Sequence, residues 1–135
     1  MTMTIKKLYL AHPLVIRHEI REQELAFEAR TGIELVNPFY DTERDDIKDI
    51  DAGTVQRFSG ALDYRAIVEN DLAAIDGSQG IVAVVRKGAI SIGTPMEMWH
   101  TLRTGKIIMA VCNDELKGHP WLRYVAEASG GFIVS

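Results

Sequence analysis

Ile81-Val82-Ala83-Val84-Val85 is the stretch on which the fold turns. It is an unbroken apolar run dominated by β-branched residues. A strand with one wet face would alternate apolar and polar residues, whereas an unbroken run suits a strand buried on both faces of a helix-covered sheet. Working outward, similar short runs occur at Leu8-Tyr9-Leu10-Ala11 and at Ile33-Glu34-Leu35-Val36, the latter ended by Asn37-Pro38. Two more lie downstream, from Lys106 to Cys112 and at Gly131-Phe132-Ile133-Val134. Longer amphipathic stretches separate them. Residues 14–31 place Ile16, Ile20 and Phe27 among charges and stop at Gly32, which predicts a helix. Further helices fit at 61–76, 94–104 and 119–129. Strands alternating with helices imply βαβ units with right-handed crossovers. The expected fold is an α/β three-layer α/β/α sandwich on a five-stranded parallel sheet, flavodoxin- or Rossmann-like.

The bulk properties agree. The chain has 135 residues, enough for one domain spanning 1–135. Apolar residues make up 47% and charged residues 25%, which excludes a disordered, collagen-like or coiled-coil protein. The net charge is −4, so a nucleic acid polymer is not an expected partner. A small anionic substrate held by one or two side chains remains compatible. Cys112 is the single cysteine; it cannot form an internal disulfide and reads as a reduced core thiol, which suggests a cytoplasmic protein. No cysteine or histidine spacing suggests a metal site. The start, Met-Thr-Met-Thr-Ile-Lys-Lys-Leu, has no signal-peptide core, and no apolar run is long enough to span a membrane. The acidic segment from Asp41 to Asp51 reads as a solvated loop, with a substrate lid as its functional reading.

Parallel sheets bind ligands beyond the carboxyl ends of their strands. The stretches to examine are His12 to Arg17, Lys87 to Glu97 and Asn113 to His119. In Ser91-Ile92-Gly93-Thr94-Pro95-Met96-Glu97, Thr94 is placed to cap a helix, Pro95 suits its first turn and Glu97 completes a capping box. The functional reading uses the same residues. A carboxylate in the first helical turn stays ionised, as a carboxylate nucleophile must, and Gly93 lets a substrate approach closely. Asp71 lies on the apolar stripe of Ile67 and Ile75. It is either a satisfied buried aspartate or an acid tuned by desolvation to move a proton. Tyr9 reads as a core tyrosine with its hydroxyl at the edge. Arg17 is suited to a phosphate or carboxylate, although an Arg at a helix start is more often solvated. Trp99 and His100 read as packing or interface residues, and His119-Pro120-Trp121 as a helix start with a core anchor. There is no P-loop, GxGxxG, HExxH or GxSxG motif.

Taken together, these pieces resemble the nucleoside 2-deoxyribosyltransferase family, which also contains the 2′-deoxynucleoside 5′-phosphate N-hydrolases. Lys7-Leu8-Tyr9-Leu10-Ala11 is similar to the family's aromatic-bearing first strand. Glu69-Asn70-Asp71-Leu72-Ala73-Ala74-Ile75 is close to its N/Q-D-L-x-x-I helix. The turn from Ser91 to Met98 is similar to its G-x-x-x-E-x-G motif, and Gly105-Lys106-Ile107-Ile108 to its fourth strand. The resemblance implies that Glu97 is the nucleophile that attacks the anomeric carbon of deoxyribose. It implies that Tyr9 orients this carboxylate, and that Asp71 contacts the base and helps its protonation. It implies no cofactor and no metal, a small deoxynucleoside or deoxynucleotide as substrate, and a homodimer or larger homo-oligomer. Met98, Trp99 and Trp121 are candidate contacts, since aromatics and Met are enriched at interfaces, and core packing explains them equally well.

Two departures bear on the substrate. Ser91 stands at a position that looks like aspartate in the transferases and serine in the 5′-phosphate hydrolases, which points to a phosphorylated substrate with Ser91 donating to the phosphate. The hydrolases' Ser-x-Arg-Gly-Gly loop is replaced by Ala11-His12-Pro13-Leu14-Val15-Ile16-Arg17, where His12 and Arg17 become the candidate contacts. Trp99 replaces the motif's last glycine, which narrows the pocket or covers an interface. The competing readings are a nucleotide-binding module without catalysis, with Glu97 as a cap only, and, ranked lower, a flavodoxin-like or receiver domain.

Overall fold

A computed structural model of the chain describes residues 4–40, 63–89 and 91–135, so the acidic 41–51 segment lies outside the described residues. The strands β1 (Lys7–Ala11), β2 (Glu34–Val36), β3 (Gly80–Val85), β4 (Ile107–Cys112) and β5 (Phe132–Val134) form one parallel sheet in the order β2-β1-β3-β4-β5. The helices are α1 (Arg17–Thr31), α2 (Tyr64–Asp76), α3 (Gly93–Arg103) and α4 (Pro120–Ala128). The expected α/β sandwich is therefore present. The chain reverses its direction across the sheet between β1 and β3, where Tyr9 is in register with Ile81 and Ala11 with Ala83.

The period of two along each strand divides the core between two faces. Leu8, Leu10, Val82 and Val84 pack with Ile20 of α1 on one face. Tyr9, Ile81, Ala83, Ile108 and Cys112 face the other way, toward Ile75 of α2, Met98 of α3 and Leu122 of α4. Among the described residues, one helix thus covers one face and three helices the other. Ile81 and Ile108 are fully buried, each worth about 1.5–3 kcal/mol relative to exposure. The central run is buried as its composition demands, up to a half-exposed Val85.

Local chemistry sets the ends of the elements. Gly32 ends α1 at φ 74° with its N–H on the Glu28 carbonyl, the left-handed cap that glycine adopts without strain. The Asp63 carboxylate accepts from the Ala66 N–H at 3.1 Å and starts α2. Lys106 Nζ donates to the carbonyls of Ile75 at 2.9 Å and Ser78 at 2.7 Å, which ties the end of α2 to the start of β4. A Cβ on Gly131 would lie 1.8 Å from the Ile108 carbonyl oxygen, so only glycine fits between α4 and β5.

Several expectations need correction. The 14–31 stretch is not one helix: Leu14–Ile16 is a 3-10 turn closed by Ile16 N–H on the Pro13 carbonyl at 3.3 Å, and α1 begins at Arg17. Helix α3 begins at Gly93 and not at Thr94. Trp121 is no core anchor; it is exposed, and its neighbour Leu122 is the buried residue. Met98 is a core residue at 4% exposure and not a surface contact.

Candidate active site

The site is built where β1, β3 and the start of α3 meet. Tyr9 sits in the middle of β1 and is 2% exposed, so its ring is held by the three-helix core. Its hydroxyl donates to Glu97 Oε2. This bond joins residues 88 positions apart. Glu97 itself is half-buried. A Cβ at Gly93 would lie 3.7 Å from Glu97 Oε1, so the glycine keeps side-chain atoms off that second oxygen.

The capping box does not form. The Thr94 N–H donates to Ser91 Oγ at 3.1 Å, and the Ser91 hydroxyl donates to Thr94 Oγ1 at 2.8 Å. Ser91, not Glu97, serves the open end of the helix. The earlier helix start also moves Glu97 out of the first turn, which contains no acidic residue. The dipole effect fades beyond that turn. Tyr9, rather than the helix end, is the group that holds this carboxylate.

The other residues singled out from sequence occupy the surroundings. Asp71 is half-buried on α2, which packs against both α3 and β1. Gly93 is the exposed first residue of α3. Arg17 is the half-buried first residue of α1. His12 is 5% exposed, with Nδ1 3.0 Å from the Pro13 carbonyl and Nε2 3.3 Å from Asn37 Oδ1. The structure therefore joins Tyr9 to Glu97 and Ser91 to Thr94, and turns His12 inward. His100 bridges helices: its Nε2 lies 2.7 Å from Asp76 Oδ1. Glu24 and Asn37, buried next to His12, were not singled out from the sequence. The one hint was the position of Asn37 directly after a strand.

On the far flank of α3 lies a groove of about 510 Å³, walled by Val85, Met98, Trp99, Leu116, Trp121 and Leu122. His119 is its one titratable lining residue, and the His119 Nδ1 accepts from the Trp121 N–H at 3.3 Å. The groove offers contact area and not acid–base chemistry. Burial pushes the Cys112 thiol up; nearby Lys117 opposes this and Asp114 adds to it. That thiol at the end of β4 is packing and not a nucleophile. Among the described residues no group of three His, Cys, Asp or Glu could hold a metal ion, and no helix is long and apolar enough to cross a membrane.

No family model and no curated protein matches the sequence. Solved structures do match the fold. A conserved protein from Enterococcus faecalis V583 aligns with a TM-score of 0.64 at 20% identity, over 98% of this chain and 92% of that one. A Clostridium botulinum CMP N-glycosidase aligns with a TM-score of 0.61 at 17% identity, over 96% and 87%. A 2-deoxyribosyltransferase from Bacillus psychrosaccharolyticus aligns with a TM-score of 0.54 at 18% identity, over 88% and 90%. Along most of its length, the chain shares its fold with a CMP N-glycosidase and a 2-deoxyribosyltransferase.

Proposed function

We propose that the protein cleaves the N-glycosidic bond of a 2′-deoxynucleoside or its 5′-monophosphate, with Glu97 as nucleophile. The observation that carries this reading is the hydrogen bond from the buried Tyr9 hydroxyl to Glu97. It fixes one carboxylate oxygen, as the attack of the other on an anomeric carbon requires. Bond breaking leaves positive charge on the sugar and negative charge on the departing base. The carboxylate captures the first as a glycosyl ester, and a proton delivered with the help of Asp71 neutralises the second. Water or a second base then attacks the same carbon, releases Glu97 and completes hydrolysis or transfer, in the manner of retaining glycosidases.

Ser91, Gly93, His12 and Arg17 complete the proposed substrate seat. Gly93 gives close approach, and Arg17 faces an anionic group of the substrate. Ser91 favours a phosphorylated substrate through the resemblance already described. His12 serves from behind the surface. The reaction needs no cofactor. A homodimer or larger homo-oligomer in the cytoplasm completes the proposal. The exposed Trp99, Trp121 and Tyr124 support self-association, since aromatics are enriched at such contacts.

The test is chromatography of free base after incubation with each deoxynucleoside and each 5′-monophosphate, with and without a second base. Release without an acceptor identifies a hydrolase, and a new nucleoside formed only with acceptor identifies a transferase. Thermal stabilisation by the same compounds with no release supports the second reading, a non-catalytic nucleotide-binding module.

A further inference from the structure

A second group of polar side chains is buried where β1 and β2 leave the sheet. His12, Glu24 and Asn37 are 5%, 2% and 5% exposed and come from three different segments. Glu24 Oε1 accepts from Arg21 Nη1 at 2.8 Å and from Asn37 Nδ2 at 3.1 Å. Glu24 Oε2 is buried and meets no donor among the described residues. A buried ion network with an unsatisfied oxygen is a poor source of stability, and apolar side chains of the same shape would serve that purpose better. Its presence asks for another explanation.

The hydrogen-bond roles can be worked out in order. A carboxylate only accepts, so Asn37 must turn its Nδ2 toward Glu24. The Phe39 N–H only donates, and it lies 3.2 Å from Asn37 Oδ1. Both contacts set the same amide orientation, which puts Oδ1 toward His12 Nε2 at 3.3 Å. The other ring nitrogen, Nδ1, lies 3.0 Å from the Pro13 carbonyl oxygen. His12 therefore faces an oxygen acceptor at each end.

We propose that His12 acts, through Asn37 and Glu24, as a positioning relay that pins the chain leaving β1 to the chain leaving β2. Asn37 and Phe39, from the segment after β2, meet the ring, and Glu24 and Arg21 of α1 continue the chain of contacts through Asn37. The same segment is clamped a second time by Tyr40, whose ring lies 4.4 Å below the Arg21 guanidinium and whose hydroxyl is 3.1 Å from His18 Nδ1. His12 follows Tyr9 by three residues. The relay thus fixes the chain just beyond Tyr9, whose hydroxyl donates to Glu97. Its effect on turnover rests on the glycosidase reading, whereas its tie between the two segments does not.

The experiment has two readouts. Thermal melting comes first: Asn37→Asp is expected to lower the melting temperature and E24Q/N37D to recover it, and equal melting temperatures in the wild type and both variants overturn the proposal. For the second readout, Asn37→Asp sets one carboxylate against another, while E24Q/N37D restores a donor facing an acceptor with the direction reversed. Asn37→Asp is expected to lower kcat/KM by about 10- to 100-fold, mainly through KM, as misplacement of a substrate seat does. The double variant is expected to recover most of this. Equal kinetics in the wild type, the single variant and the double variant overturn the relay. If Asn37→Asp fails to fold, the double variant against the wild type still decides: recovered activity supports the relay and activity lost in a folded double variant contradicts it. A wild-type protein that binds nucleotides but releases no base refutes the glycosidase reading, and the melting temperatures then decide the relay alone.

Discussion

The carboxyl ends of β1 and β4 lie on the same sheet and send side chains to the same three-helix face, yet they are built from opposite materials. Beside β1, the Tyr9 hydroxyl donates to Glu97, and Ser91 and Thr94 exchange hydrogen bonds one turn earlier. Beside β4, the Cys112 thiol is buried and the adjoining groove is walled by methionine, tryptophan and aliphatic side chains. Helix α3 separates the two regions, with Glu97 on one flank and Trp99 on the other. A carboxylate gripped by a buried hydroxyl is equipped to react. An apolar groove with no carboxylate among its lining residues is equipped for contact. Concavity alone points to the other flank of α3.

Four experiments break or sharpen this contrast. Glu97→Ala should lower base release by about a thousandfold or more, with a melting temperature within about 4 °C of the wild type; full activity in a chromatographic assay would remove the nucleophile from the polar flank. The methionines of α3 come next. Met98→Ala should cost about 2–5 kcal/mol, because Met98 is buried, whereas Met96→Ala should stay within about 0.5 kcal/mol, because Met96 is 67% exposed. Urea denaturation separates the two, and equal costs would contradict the assigned faces of the helix. Tyr9→Phe keeps the ring and removes only the donor. It should cost about 10- to 100-fold in kcat/KM, the worth of a hydrogen bond to a charged group. The last test concerns Cys112. Its thiol should react with iodoacetamide far more slowly in native protein than in urea. Burial raises its folded-state pKa, so its contribution to stability is full below the unfolded thiol's pKa and is lost as pH rises through the folded value.

Much of the fold is legible in the sequence, because it is written in short-range patterns. Ile81 to Val85 announces a doubly covered strand, and Gly32 ends its helix where glycine is expected. The Tyr9–Glu97 contact is an expectation of the family resemblance and not of any local pattern. Thr94-Pro95-Met96-Glu97 has the local signature of a capping box, while the partner that takes the carboxylate lies 88 residues away. Trp121 and Leu122 show a second limit. A helix turns about 100° per residue, so in the nine-residue α4 an error of one position exchanges a buried residue for an exposed one. The His12–Asn37–Glu24 cluster leaves almost no trace, because a glutamate on an amphipathic helix looks like any solvated one. Only the packing of α1 over the ends of β1 and β2 makes it a buried group.

The central claim is that Glu97 becomes covalently bonded to the sugar. The most direct test is mass spectrometry of protein quenched in acid during turnover, followed by peptide mapping. The account predicts a deoxyribosyl or phosphodeoxyribosyl adduct on the peptide that carries Glu97, absent in Glu97→Ala. Base release by the wild type with no adduct on that peptide, or with an adduct that persists in Glu97→Ala, would contradict it.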